Sequence, residues 1–374
     1  MGFLMVTRNT KVYVVAPPRV STGGPELLHQ LVYHLRVDLG LEAYMYYYPE
    51  ARGDPVHPSY RSYGNPVSKN ISDEPQNILI VPELASAISL FSCFSKIQKV
   101  IWWLSVNYFV ASVLPYAQMG LVRRTLFGFA RPLYHWIVKR LLPTRYVLRA
   151  KALGISLLSD RESAWEEVAN NKELMVRLME TLPVCQANLH LCQSYYALDF
   201  LTSLGFNNVV YLSDYLSDDF FQHSVTPEEK QDVVAFSPIK GWSFTWRILR
   251  AAPQLRFESI YGLSRKQVID VLSRAKVYID FGSHPGKDRL PREAVMLRCC
   301  VLVGKRGAAK NRYDIPIPER YKFAVSESSI PEIVATIEQC IKEYALILQD
   351  FEAYREQVRK EPEIFRNCVR EIFS

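Results

Sequence analysis

Seven consecutive residues, Ser283-His284-Pro285-Gly286-Lys287-Asp288-Arg289, put a histidine, an acid and two cations into one turn-rich loop, and Glu293 follows four residues later. His284 suits general acid–base work or hydrogen-bond donation, and plain solvation in a polar turn is the alternative. Glu293 is either a ligand-holding carboxylate or an acid favoured by the dipole of a helix first turn. Another cation, Lys240, ends the apolar run VVAFSPIKG. Alone it reads as a surface lysine at a strand end; together with the 283–289 loop and Glu293 it reads as a ligand group. Far upstream, Gly23 and Gly24 sit in the turn PRVSTGGPE. A glycine-rich turn feeding a helix suits phosphate, because free N–H groups and the helix dipole both favour an anion. The pattern is not GxGxxG, so no dinucleotide fingerprint is present, and a simple tight turn is the competing reading.

The elements around these residues are legible from their periodicity. KVYIDFG is a short, β-branched and aromatic run expected to be a buried strand. Pro291 fits a helix first turn, where its missing N–H costs nothing, and Arg292 to Arg298 continue it. CCVLVGK returns as a strand, which completes a βαβ unit. In parallel α/β sheets ligands sit at the carboxyl ends of such strands. The N-terminal half follows the same rhythm: strand Lys11–Pro17, a helix from Pro25 with Leu27, Leu28, Leu31, Val32 and Leu35 at helical spacing, then strands EAYMYYYP, NILIVPEL and KVIWWLSV. Residues 52–76 read as a mobile loop, and Ser163 to Glu180 as one acidic amphipathic helix. NLHLCQS and NVVYLSDYL are further strands. The rhythm restarts at VVAFSPIKG, after a polar stretch near residues 217–231. The expectation is an α/β protein of two Rossmann-like domains facing across a cleft, at 1–220 and 221–374, with the last helix packing back on the first domain.

At 374 residues the chain exceeds one ordinary core, and its composition is that of a globular protein. The seven cysteines form no CxxC pair, which reads as reduced thiols in a cytoplasmic protein, and no signal peptide is expected. Charge is unevenly placed although the formal net charge is only +7. No acid occurs between Glu83 and Asp160, and a basic segment at about 96–151 includes Arg123, Arg124, Arg131, Lys139 and Arg140. The uncharged run 100–122 is too interrupted by Ser105, Asn107, Pro115, Gln118 and Gly120 to read as a membrane span. The basic, aromatic stretch after it suits an anionic membrane surface, with a solvated face as the alternative.

The order strand, Lys240-Gly241, helix, strand, helix, strand, loop and Glu293-Ala294 resembles the C-terminal half of GT-B-fold glycosyltransferases. The likeness is to the bacterial group 1 family that builds surface polysaccharides. Thr22-Gly23-Gly24-Pro25-Glu26 resembles that family's N-terminal glycine loop. The resemblance implies that Lys240 contacts the donor diphosphate, Glu293 holds the donor ribose, and Gly23 and Gly24 let amides approach the donor. Pro285 stands where the family's Glu-x7-Glu motif has its first acid, and Asp288 is the sole acid between it and Glu293. The arginine expected upstream of the lysine is missing, and Lys287 or Arg289 is expected to supply that charge.

The implied chemistry is sugar transfer from a nucleotide sugar, in which charge builds on the departing diphosphate. Lys240, Lys287 and Arg289, with the helix N-terminus, are suited to stabilise that charge in the transition state. His284, Asp288 and Arg289 are the catalytic candidates. No cofactor is expected, and no metal, since an Asp-x-Asp motif is absent. The expected partners are a nucleotide sugar, a lipid-linked or polysaccharide acceptor and the inner face of a membrane, with retention of anomeric configuration following from the resemblance. A sugar-nucleotide epimerase, a non-catalytic transferase partner and a nucleic-acid-binding protein are the competing readings. No nucleic-acid module accompanies the basic segment, and nucleic acid is not expected as a partner.

Overall fold

A computed structural model describes residues 4–118, 166 and 168–374. The basic residues Arg123, Arg124, Arg131, Lys139 and Arg140 lie outside the described residues. Among the described residues, no helix is long and apolar enough to cross a membrane.

The first sheet contains β1 (Lys11–Ala16), β2 (Glu42–Tyr47), β3 (Ile78–Pro82), β4 (Gln98–Trp103), β5 (Leu189–Cys192) and β6 (Val209–Tyr211), in the order β2-β1-β3-β4-β5-β6. The second contains β7 (Gln231–Phe236), β8 (Arg256–Ser259), β9 (Ala275–Asp280), β10 (Cys300–Gly304) and β11 (Lys322–Phe323), in the order β11-β10-β9-β7-β8. Each strand pairs parallel with its neighbours. Helices on both faces explain why β1, β3 and β4 are nearly unbroken apolar runs.

Strand alternation divides the N-terminal core into two layers. Tyr13, Val15, Leu79, Val81, Ile101 and Trp103 face one layer, and Val12, Val14, Ile78, Ile80, Val100 and Trp102 face the other. Trp102 and Trp103 are both fully buried, so each anchors a different face of the same sheet. Truncating either to alanine would cost about 3–5 kcal/mol in lost burial and residual cavity.

The helix α1 (Gly23–Val37) buries Leu27, Leu28, Leu31, Val32 and Leu35 on that second layer. The C-terminal helix Glu352–Phe373 joins two cores. Tyr354 and Val358 pack with the second sheet, whereas Phe365, Val369 and Phe373 pack with the first. Pro362 lies between those two groups, and Phe365 meets Trp102 and Tyr215.

Two sequence expectations are refined. Residues 52–76 are mostly loop, but Pro58–Tyr63 is a 3-10 helix, and Val67 bridges to Met45 at the edge of β2. The Tyr60 hydroxyl donates to the carbonyl of Thr22 at 2.8 Å, so this segment props the glycine turn. Of the helix expected over Ser163–Glu180, residues 163–165 and 167 lie outside the described residues; a helix starts at Asn171, whose side chain accepts from Leu174 N at 3.1 Å and caps Lys172–Glu180.

Candidate functional site

The carboxyl ends of β1, β3 and β4 face those of β7 and β9 across a cleft of about 580 Å³. This volume lies within the usual range for small-molecule sites. The turn with Gly23 and Gly24, Glu83, and Leu104 to Tyr108 make one wall. Ser237 to Lys240, Asp280 and the 285–290 loop make the other.

Three hydrogen bonds to its backbone hold the 283–289 loop against the N-terminal domain. Val106 N donates to the Pro285 carbonyl at 3.0 Å. Gln193 then pairs with the backbone of Lys287 in both directions, accepting from its N–H at 2.8 Å and donating to its carbonyl at 2.9 Å. Gly286 is required by this approach, because a Cβ there would stand 2.5 Å from the Leu104 carbonyl oxygen.

Lys240 leaves β7 and meets Asp288, with Nζ 3.0 and 3.1 Å from the two carboxylate oxygens. Asp288 occupies the N-cap position of helix Arg289–Met296 but makes no side-chain cap, since its oxygens serve Lys240 and His284. His284 Nδ1 stands 3.1 Å from Asp288, and its Nε2 lies 3.3 Å from the Asp280 carbonyl. Asp280 is itself fixed by the Tyr278 hydroxyl at 3.0 Å and Gly282 N at 2.9 Å.

His284 is fully buried, which rules out the solvated turn, and adopts a left-handed φ of 40°. The carbonyls of Ser283 and His284 press against Gly307, where a Cβ would approach both to 2.2 Å. Burial alone would lower the imidazole pKa, but Asp280 and Asp288 outweigh it and raise the value above normal. For Asp288 burial opposes ionisation, yet Lys240 and His284 hold the carboxyl well below the usual range. The result is a chain of alternating basic and acidic groups, Lys240–Asp288–His284–Asp280. Asp280, His284 and Asp288 bring ligand atoms within 4.8 Å of one another, the spacing of a metal site. A divalent ion taking both Asp288 oxygens would have to displace the Lys240 ammonium.

Arg289 meets Glu26 of α1 across the cleft, and its Nε lies 3.5 Å from Glu293. Arg265 holds the same Glu26 at 2.9 Å. Gly23 is set close by, where a Cβ would come 3.1 Å from Arg289 Cδ. Burial pushes the Glu293 carboxyl pKa up. Behind the loop, Arg292 pairs with Asp214 at 2.8 Å and Glu361 at 2.9 Å, and Lys287 Nζ pairs with Glu361 at 2.7 Å.

The structure therefore separates the residues singled out in the sequence into two layers. Gly23, Gly24, Lys240, Lys287, Asp288 and Arg289 line the cleft. His284 and Glu293 stand behind it, touching Asp288 and Arg289 respectively. Lys287 contributes its backbone to the loop, while its ammonium is taken up by Glu361 and Ser213. Sequence reasoning missed Glu26, Glu83, Gln193, Asp214 and Asp280. Glu83 and Asp280 had a readable signal, since each is an acid at the carboxyl end of an apolar run, where ligands of parallel sheets gather.

Two Rossmann-like domains of parallel strands, facing each other across a cleft, define the GT-B fold of glycosyltransferases. No family model and no curated relative matches the chain. Among solved structures it is similar to HepE of Anabaena in complex with UDP and glucose, at TM-score 0.57 and 10% identity over 97% of this chain and 99% of that one. It is also similar to sucrose-phosphate synthase of Thermosynechococcus elongatus, at TM-score 0.53 and 9% identity over 98% and 95% of the two chains. The lipopolysaccharide outer core galactosyltransferase WaaB gives TM-score 0.53 and 9% identity over 97% and 99%. At these identities the likeness is one of fold.

Proposed function

We propose that the protein is a glycosyltransferase that moves a sugar from a nucleotide-sugar donor to a lipid-linked or surface-polysaccharide acceptor without a metal ion. The observation that carries this reading is the meeting of Lys240 and Arg289 with the Gly23–Gly24 turn at the N-terminus of α1, inside one interdomain cleft. Cations and backbone N–H groups lining one cleft suit a diphosphate whose charge grows as the glycosyl bond breaks. HepE, which shares the fold, has been crystallised with UDP-glucose. That supports a uridine nucleotide as the first donor to test. Retention of configuration is carried over from the group 1 resemblance, and the acid-free basic segment supports placement at the inner face of a membrane.

The test is thermal stability against UDP-, GDP-, dTDP- and CMP-sugars and their free nucleotides, because a ligand bound only by the folded state raises Tm by mass action. A shift selective for one base, reduced in Lys240→Ala and Arg289→Ala, is the expected result. Absence of a shift with every nucleotide would remove the proposal.

A further inference from the structure

Beyond Asp214 and Lys287, which also line the cleft, lies a second cavity of about 440 Å³. The N-terminal domain contributes Tyr195 and Tyr211 to it, and the C-terminal domain Arg312 and Tyr313. The C-terminal helix closes it with Gln357 and Glu361. Its volume is that of a small-molecule site, and the proposed sugar transfer makes no use of it.

One wall is a row of tyrosines that crosses the domain boundary. Tyr195 stacks on Tyr211 with ring centres 4.5 Å apart and meets Tyr313 at 5.1 Å. The neighbouring Asp314 fixes this row. Its carboxylate accepts from Tyr195 N at 2.8 Å and Tyr196 N at 2.9 Å, at the start of helix Tyr195–Ser203. Arg312 lies over the Tyr313 ring at 4.9 Å and donates to its hydroxyl at 2.7 Å. Tyr313 is nonetheless 51% exposed. A ring held on several sides yet half exposed is a preformed contact surface, its ordering cost met before any ligand arrives.

The charges decide what such a surface takes. Asp214 is paired with Arg292, and Lys287 with Glu361, so each buried cation here already holds a carboxylate. Arg312 is exposed and committed to Tyr313. A phosphorylated ligand would find no buried cation left to receive it. A neutral ligand with apolar faces and many hydroxyls fits better, because the Gln357 amide and the tyrosine hydroxyls both donate and accept. Sugar rings have this character, and their C–H faces pack on the electron-rich face of an aromatic ring.

We propose that this cavity is a second carbohydrate site, which takes a short neutral oligosaccharide on the Tyr195, Tyr211 and Tyr313 row. It is separate from the donor cleft, and its occupancy does not depend on the glycosyltransferase reading. Because the row crosses the domain boundary, a bound glycan bridges the two domains.

Calorimetry with maltotriose, cellotriose and isomaltotriose tests this, each alone and with saturating UDP. Saturable binding of at least one trisaccharide is expected, with UDP failing to displace it. Tyr313→Ala should weaken that binding by roughly 3–10-fold, the scale of one lost aromatic contact, with Tm unchanged. Tyr313→Phe should keep near wild-type affinity, since the ring and not the hydroxyl makes the platform. Displacement by UDP, or full affinity in Tyr313→Ala, would place the sugar outside this cavity and overturn the site. Binding of none of the three, or Tyr313-dependent binding of ATP instead, would overturn the carbohydrate assignment. A protein that binds a trisaccharide through Tyr313 and binds no nucleotide would uphold this site and remove only the transferase proposal.

Discussion

Arg292 reaches across the domain boundary to Asp214, with Nη2 2.8 Å from Oδ2 and neither side chain exposed. Its Nη1 meets Glu361 of the C-terminal helix at 2.9 Å. One guanidinium thus ties the N-terminal domain, the loaded loop and the helix shared by both cores. Burial disfavours the Asp214 carboxylate, but Arg292 outweighs it and keeps the pKa low. Removing one partner of a buried pair leaves an uncompensated charge, which typically costs about 3–5 kcal/mol. Arg292→Leu should therefore lose that much stability in urea denaturation. Arg292→Leu with Asp214→Leu should recover part of it. A single variant of wild-type stability would show that the network holds nothing.

Lys240 and Arg289 should matter to nucleotide affinity. Each lines the cleft and is already paired with acids, Lys240 with Asp288 and Arg289 with Glu26 and Glu293, so some loss of stability is expected beside the loss of affinity. A charge-assisted hydrogen bond is worth about 1.5–3 kcal/mol, which corresponds to roughly 10–150-fold in Kd. Calorimetry with UDP should show a loss in that range for Lys240→Ala and for Arg289→Ala. Equal affinity in both variants would place the diphosphate elsewhere.

His284 gives the loop a pH dependence of defined sign. Its folded pKa is raised above 6.5 by Asp280 and Asp288 in spite of burial. A raised pKa means that its stabilisation is complete below about 6.5 and is lost as pH rises through the folded value. The unfolding free energy should therefore fall with pH above that point in the wild type. His284→Gln should be less stable at pH 6 and should show a shallower fall. Parallel curves for the two proteins would exclude a buried imidazolium. The depressed pKa of Asp288 acts in the opposite direction, giving stability that is present above about 3.8 and lost at lower pH.

The strands and the loaded loop were legible because local chemistry decides them. KVYVVA, ILIVP and QKVIWW admit little besides buried parallel strands, and SHPGKDR can hardly be anything other than a loop. What escaped the sequence are relationships between distant segments. Arg292 finds Asp214 78 residues away and Glu361 69 residues away. Glu26 lies in the first turn of α1, and its two arginines come from the other domain. The burial of His284 depends on a left-handed turn packed under Gly307, and no periodicity announces that.

Gly286 provides the mechanical test of how the cleft is held together. Its loop lies so close to the N-terminal domain that a methyl group would stand 2.5 Å from the Leu104 carbonyl and 2.9 Å from Gln193 Oε1. The first neighbour is backbone and cannot rotate away. Gly286→Ala must therefore push Pro285 and Lys287 outwards, straining the 3.0 Å bond from Val106 N and the paired bonds to Gln193. Each hydrogen bond is worth about 0.5–1.5 kcal/mol net, so loss of all three would cost roughly 2–4 kcal/mol at the domain interface. Because the two sheets keep separate cores joined by the C-terminal helix, the expected outcome is a wider cleft and not global unfolding. Small-angle scattering should show a larger radius of gyration for Gly286→Ala while circular dichroism stays unchanged. Nucleotide affinity should fall with it, since the Gly23 turn and the Lys240–Arg289 wall would no longer face each other at binding distance. An alanine variant with wild-type scattering and affinity would mean that the domains are held by other contacts, with the Arg292 cluster the first to examine.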